Sequence, residues 1–79
     1  MTLQEFTVEI AKILTTDPDN LLENSTPSSI ASWDSIATLS FLVWLEEMYN
    51  GEITGEDLNA FHSYRDVVDF ARSKGIITD

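Results

Sequence analysis

The sequence lacks cysteine and has a single histidine, His62, among its 79 residues. Without cysteine the chain can form neither a disulfide framework nor a thiolate metal site, and one histidine excludes a multi-histidine metal site. Apolar packing must therefore hold the fold together. Residues 1–79 are enough for a single domain, and a chain of this length buries only about 60–65% of the surface that its unfolded form exposes.

Basic residues are also scarce, because 4 Lys and Arg stand against 14 Asp and Glu, for a formal charge of −10. A surface this acidic repels nucleic acid and anionic lipid, since phosphate binding depends on Lys and Arg. It should instead be steered towards proteins with basic patches, an attraction that salt weakens. Simple solubility is the more common reason for such a surface and is favoured here, and both interpretations stay open.

Long apolar runs are missing too, and none approaches the roughly 20 residues that a bilayer-spanning helix needs. The N-terminus has neither the basic start nor the apolar stretch of a signal peptide. We therefore expect a soluble, cytoplasmic protein, and a monomer.

The apolar residues recur at helical spacing along the chain, and no segment shows the alternation of a strand. The first helix should begin at the capping box Thr2–Glu5 and end at Asp17-Pro18. Residues 15–34 are predicted to form a long, ordered loop. The later helices are predicted at about 35–50, as a short helix after Thr54 that carries Leu58 and Phe61, and from Ser63 to Gly75. The expected fold is all-α, a small bundle of three main helices plus one short helix.

The second helix is apolar on two sides. At 100° per residue, one sector is sufficient for a core stripe and contains Thr38, Phe41, Leu42, Leu45 and Tyr49. The opposite sector contains Ile36, Ser40, Val43 and Glu47, with Leu39 and Trp44 on its flanks and Ala37 beside Trp44. An apolar face of this kind is expected either to be covered by another segment of the chain or to bind a partner protein. Cover could come from the loop, through Leu21, Leu22, Ile30 or Trp33. We favour partner docking for Ile36 and Val43 and leave Trp44 open.

Ser35 lies where the long loop meets this helix, in the segment Ser32-Trp33-Asp34-Ser35-Ile36. Asp34 or Ser35 can serve as an ordinary helix cap. The free N–H groups of a first helical turn would also favour a phosphate esterified to the serine oxygen. A Ser–His–Asp enzyme is disfavoured, because His62 is distant in sequence and no lysine lies nearby.

The segment resembles a known family. Asp34-Ser35-Ile36, followed by Thr38, Leu39, Leu42 and Leu45-Glu46-Glu47, is similar to the Asp-Ser-Leu signature and second helix of acyl and peptidyl carrier proteins. The resemblance extends over essentially the whole chain, including Ile53-Thr54 to Leu58 and Tyr64 to Val68. The tripeptide alone is weak, but its position in an acidic chain of this length makes the match strong.

The resemblance implies that a phosphopantetheinyl transferase attaches 4′-phosphopantetheine from coenzyme A to Ser35, using Mg²⁺, with Asp34 flanking it as the helix cap. The arm would then hold an acyl or aminoacyl cargo as a thioester, and the chain itself would not be an enzyme. Its other implied partners are a loading ligase and downstream transferases or synthases. The implied docking face consists of Ile36, Ala37, Leu39, Ser40, Val43 and Glu47.

Two features depart from family members of fatty-acid synthesis. Those have Leu-Gly before the Asp-Ser pair, where this chain has Ser32-Trp33, and acidic residues where it has Ala37 and Ser40. A stand-alone carrier in a specialised biosynthetic pathway is therefore expected. The alternatives are a small acidic helical interaction module without a prosthetic group, an inactive carrier-like structural subunit and, last, an enzyme.

Overall fold

A computed structural model describes residues 1–79 as an all-helical domain without strands. Its α-helices are α1 (Leu3–Ile13), α2 (Ser35–Tyr49), α3 (Gly55–Asn59) and α4 (Tyr64–Ser73). A single-turn 3-10 helix, Pro18–Asn20, interrupts the long connection between α1 and α2. The predicted bundle of three main helices and one short helix is confirmed. None of these helices combines the length and the apolar content that crossing a membrane requires.

The start of α1 forms as predicted. The Thr2 hydroxyl accepts the Glu5 N–H at 3.1 Å, and the Glu5 carboxylate accepts the Thr2 N–H at 2.9 Å. These hydrogen bonds hold the pKa of Glu5 below its usual value. α1 ends at Ile13, in agreement with the loop predicted from residue 15. The residue that ends it is not the predicted Asp17-Pro18, because Thr15 adopts a left-handed conformation with φ 55° before that pair is reached.

The long connection is ordered by hydrogen bonds to α4. Two first-turn N–H groups of α4, on Tyr64 and Arg65, donate to the carbonyls of Ser25 at 2.8 Å and Glu23 at 3.0 Å. The buried Ser25 hydroxyl also accepts the N–H of Leu22 at 2.9 Å. The loop therefore satisfies helix donors that would otherwise lack partners.

The later part of the chain closes the core. Thr54 caps α3 as predicted, but α3 ends at Asn59, so Phe61 lies in the turn after it and not on the helix. Gly75, with φ 77°, follows α4 and reverses the chain. Ile76 and Ile77 are consequently buried against the core, as predicted.

Aromatic side chains join α1, α2 and α4. The Phe6 ring lies 5.5 Å from Trp44 and 6.4 Å from Tyr64, measured between ring centroids. Tyr64 is buried, and its hydroxyl shares a 2.7 Å hydrogen bond with the Thr7 hydroxyl. This burial raises the pKa of Tyr64 to about 12, from an ordinary value of 10.0.

The raised pKa of Tyr64 predicts a loss of stability at alkaline pH. Above the ordinary pKa the unfolded chain ionises while the folded chain keeps its proton, so the free energy of unfolding should fall by about 1–2 kcal/mol as the pH rises from about 10 to about 12. Urea unfolding at several pH values across this range measures the decrease.

Tyr64→Phe is the control. Its free energy of unfolding at neutral pH should be lower by about 1 kcal/mol, because a hydrogen bond is lost, but this free energy should decrease less at alkaline pH than that of the wild type. Equal alkaline losses in both proteins would contradict the prediction. Tyr49, whose pKa burial also raises, leaves a residual slope in either case.

Candidate functional site

Trp33 sets the point at which the long loop enters α2. Its side chain is 4% exposed, and its Nε1–H donates to the Thr38 hydroxyl at 3.1 Å. The Thr38 hydroxyl in turn donates to the Asp34 carbonyl at 2.9 Å. The Trp33 ring meets Phe41 edge-on, 5.9 Å between centroids. One buried indole thus joins the end of the loop to the first two turns of the helix, and the next residues, Asp34 and Ser35, are exposed.

Asp34 is the N-cap of α2, a role for which the sequence had offered both Asp34 and Ser35. Its Oδ1 accepts the Ala37 N–H at 2.9 Å, and its own backbone is extended, as the residue before a helix should be. Ser35 is the first residue inside α2, and its hydroxyl takes part in none of the hydrogen bonds within the chain. The serine oxygen is therefore both solvent-exposed and uncommitted.

Two backbone donors remain free beside this oxygen. Asp34 accepts the N–H groups of Ala37 and Thr38, through its carboxylate and its carbonyl, whereas the N–H groups of Ser35 and Ile36 have no acceptor within the chain. Free N–H groups at a helix start carry partial positive charge. An anionic group joined to Ser35 would lie in a favourable field.

An open groove of about 510 Å³ lies next to Ser35, between the loop, α2 and α3. Its lining residues are Pro27, Trp33, Asp34, Ser35, Thr38, Leu39, Leu42 and Leu58. The walls are apolar at the Leu and Trp positions, and the polar groups are grouped around the serine. Neither Pro27 nor Leu58 was predicted at this site, because Leu58 comes from α3 and the path of the loop that carries Pro27 is not indicated by periodicity.

The outer face of α2 is exposed, as the helical phase predicted. Ile36 is 76% exposed, Leu39 62% and Val43 54%, and Ser40 and Glu47 are exposed as well. The loop does not cover Ile36, Leu39 and Val43. Its apolar side chains Leu21, Ile30 and Trp33 are instead buried in the core, and Leu22 faces solvent. We call these five residues, Ile36, Leu39, Ser40, Val43 and Glu47, the outer face of α2.

Ala37 does not belong to this face, and its predicted exposure is wrong. It is only 8% exposed and lies in the same core cluster as Phe41. Ala37 stands 100° around the helix from Ile36, and its single methyl group is too short to reach solvent from that flank. Trp44, on the same flank, is half-buried because its ring packs on Phe6.

A second open groove, of about 580 Å³, borders the outer face at the C-terminal end of α2. Its lining residues are Val43, Glu46, Glu47, Asn50, Gly51 and Glu52. Three carboxylates therefore lie beside Val43, of which only Glu47 was predicted on this face. Glu46 is partly engaged, since its Oε2 accepts the Ile53 N–H at 3.0 Å. The left-handed Asn50 turns the chain so that Glu52 returns towards α2, which helical phase alone cannot indicate.

No model of a known protein family matches the chain, and no curated protein matches it at a significant level.

The division of roles between Asp34 and Ser35 predicts different costs for their replacement. Asp34→Ala should lower the free energy of unfolding by about 1 kcal/mol, because the Ala37 N–H loses its acceptor, while Asp34→Asn keeps the cap and should cost a few tenths of that at most. Ser35→Ala should change stability by less than about 0.5 kcal/mol, since no hydrogen bond is lost. Urea unfolding of the three variants at neutral pH measures this. A loss for Ser35→Ala as large as that for Asp34→Ala would show that the serine hydroxyl is the cap.

Proposed function

We propose that this protein is an acyl or aminoacyl carrier that holds its cargo on a phosphopantetheine arm attached to Ser35. The observation that carries the proposal is the state of the Ser35 hydroxyl, which is exposed, free of hydrogen bonds and located at the first residue of α2. The resemblance of Asp34-Ser35-Ile36 and the residues after it to carrier proteins supports the same assignment.

The residues around Ser35 fit such a group. The free N–H groups of Ser35 and Ile36 favour the charge of a phosphodiester, and Asp34 is turned to its cap on the Ala37 N–H. The apolar groove next to the serine offers contact for the uncharged part of an arm. When bound, phosphopantetheine supplies a terminal thiol, which is the sulfur chemistry that a cysteine-free chain lacks.

For the attachment of phosphopantetheine, this chain needs to supply only an accessible nucleophile. The Ser35 oxygen would attack the β-phosphorus of coenzyme A, forming a new P–O bond and releasing adenosine 3′,5′-bisphosphate. The hydroxyl proton must pass to a base on the transferase, because none of the hydrogen bonds within the chain gives Ser35 a basic partner. Its accessibility is therefore the property that matters.

The outer face of α2 begins one residue after Ser35 and is the proposed docking surface for the transferase, the loading ligase and the downstream enzymes. Ile36, Leu39 and Val43 offer apolar contact along one side of the helix. Charge is concentrated at its far end, where Glu46, Glu47 and Glu52 line the second groove. The contact surface is thus apolar near the serine and acidic further away. This pattern favours partner enzymes of a specialised pathway over those of fatty-acid synthesis, which meet acidic residues along the whole helix face.

A second candidate is an interaction module without a prosthetic group. It is favoured by the same exposed residues, Ile36, Leu39 and Val43, which could bind a single partner whether or not Ser35 is modified.

Intact-mass measurement separates the two candidates. Incubation with coenzyme A, Mg²⁺ and a broad-specificity phosphopantetheinyl transferase should add the mass of one phosphopantetheine to the wild-type chain. Ser35→Ala, which should fold equally well, is the matched control and should gain nothing. Absence of a mass increase with several transferases would leave the interaction module as the function.

Replacement of Val43 by aspartate tests the docking face. Because Val43 is exposed, Val43→Asp should change the free energy of unfolding by less than about 1 kcal/mol. It should lower kcat/KM of the transferase for this protein by about tenfold, through a charge placed in an apolar contact. Met48→Asp is the matched control, since Met48 is exposed on the same helix but about 140° away. Equal kinetic effects of the two variants would exclude the outer face as the docking surface.

A further inference from the structure

Asn50 and Gly51 end α2, and the fold favours both residue types at this end. Asn50 is the C-cap and adopts the left-handed conformation, with φ 55° and ψ 46°, which asparagine tolerates better than most residues. Gly51 lies directly against the Tyr49 ring, where a Cβ would clash. The Tyr49 ring is itself held, because it meets Phe70 edge-on at 5.6 Å between centroids and the Lys74 ammonium lies 5.6 Å from its centroid.

An asparagine followed by glycine is the pair in which a peptide loses the side-chain amide most easily. The backbone nitrogen of the glycine, once hydroxide has taken its proton, attacks the asparagine Cγ. A new N–Cγ bond forms, the Cγ–Nδ2 bond breaks, and the released nitrogen takes a proton from water and leaves as ammonia. Water then opens the resulting succinimide to aspartate or isoaspartate. Glycine reacts fastest because it has no side chain to obstruct the attack. None of the other asparagines precedes a glycine; they are Asn20, Asn24 and Asn59.

The folded end of α2 opposes this reaction. The Gly51 N–H donates to the Glu46 carbonyl at 3.2 Å, and the Asn50 N–H donates to the same carbonyl. A nitrogen whose proton is shared with a carbonyl is harder to deprotonate, because the hydrogen bond must first be broken. The peptide plane between Asn50 and Gly51 must also rotate before the nitrogen can face the Asn50 side chain. That rotation takes Asn50 out of its left-handed conformation.

From these contacts we propose that Asn50 is a deamidation site that reacts only when the C-terminal turn of α2 opens. The proposal does not depend on the carrier function. The end of a helix opens locally with a free energy of its own, smaller than that of global unfolding. When opening and closing are fast relative to the chemical step, the observed rate is the rate in the unfolded chain multiplied by the open fraction. The Tyr49 ring, held by Phe70 and Lys74, keeps that fraction small.

Deamidation changes the second groove. Asn50 lines this groove together with Glu46, Glu47 and Glu52, so the new carboxylate is the fourth. Isoaspartate also adds one carbon to the backbone between residues 50 and 51, so the Gly51 N–H loses its geometry towards the Glu46 carbonyl. The isoaspartyl chain therefore has more negative charge at the far end of the outer face of α2, and a helix end that no longer closes in the same way.

Deamidation rates of the folded and the unfolded chain test both the site and its protection. The wild type is incubated in mildly alkaline buffer with and without urea, and the acid formed at each asparagine is measured by peptide mass mapping. In urea Asn50 should react fastest of the asparagines. In the folded chain it should react at least about tenfold more slowly, as an open fraction below one tenth requires. Faster reaction of another asparagine in urea, or a smaller difference between the folded and unfolded rates, overturns the proposal.

Methylation by a protein isoaspartyl methyltransferase detects the product independently. Wild-type chain that has been incubated in urea should be methylated. Asn50→Gly is the matched control, because glycine suits the left-handed cap but has no amide to lose, and it should remain unmethylated. Equal methylation of the two proteins would place the reaction at another residue and overturn the assignment to Asn50.

Tyr49→Ala tests the hold on the helix end. Its Asn50 should deamidate at least about threefold faster than that of the wild type in the folded chain, since no ring braces Gly51, and at the same rate in urea, since the reacting pair is unchanged. Met48→Ala, which shortens an exposed side chain of the same turn, is the control and should leave both rates unchanged. If circular dichroism shows that Tyr49→Ala does not fold, Lys74→Ala takes its place. A smaller acceleration in the folded variant overturns the role of the Tyr49 ring.

Discussion

The burial of Trp33 against α2 is the contact on which the candidate site depends. The long connection before it would carry a substantial entropic cost if it were free, and ordering it requires apolar and hydrogen-bonding anchors at both ends. Ser25 supplies the anchor on the α4 side, and Trp33 supplies the one on the α2 side, through Phe41 and the Thr38 hydroxyl. Because Trp33 is held inside, Asp34 and Ser35 emerge at the surface in one conformation, with the helix already formed below them.

The sequence predicted most of the fold because its signals are local. The caps at Thr2 and Thr54 depend on residues three positions apart, and both are confirmed. The core stripe of α2 depends only on helical phase, and it is confirmed by the burial of Phe41 and Leu45. The exposure of Ser35 is confirmed as well. The burial of Ala37 was missed, because phase gives a direction but not the depth at which a short side chain ends.

The grooves and the contacts between aromatic rings of different helices and loops could not be predicted, because they join segments far apart in sequence. Leu58 reaches the groove of Ser35 from α3, and Glu52 approaches Val43 only after the left-handed turn at Asn50. Phe61 contacts Phe41 across the bundle although it was expected on a helix that ends two residues before it. Such contacts depend on tertiary packing, which periodicity does not encode.

The size of the outer face bears on how a carrier of this kind would meet its partners. Three apolar side chains, Ile36, Leu39 and Val43, contribute at most about 1.5–3 kcal/mol each when fully buried, against an association cost of about 4–15 kcal/mol. This face alone therefore cannot form a long-lived complex, and interfaces well below about 1,200 Å² are typical of transient encounters. In such a carrier, a formal charge of −10 would act mainly on the rate of encounter with basic partners rather than on the lifetime of the complex. Rapid encounter and rapid release would suit a carrier that serves successive partners at one serine, because each enzyme would have to leave before the next could reach the same site.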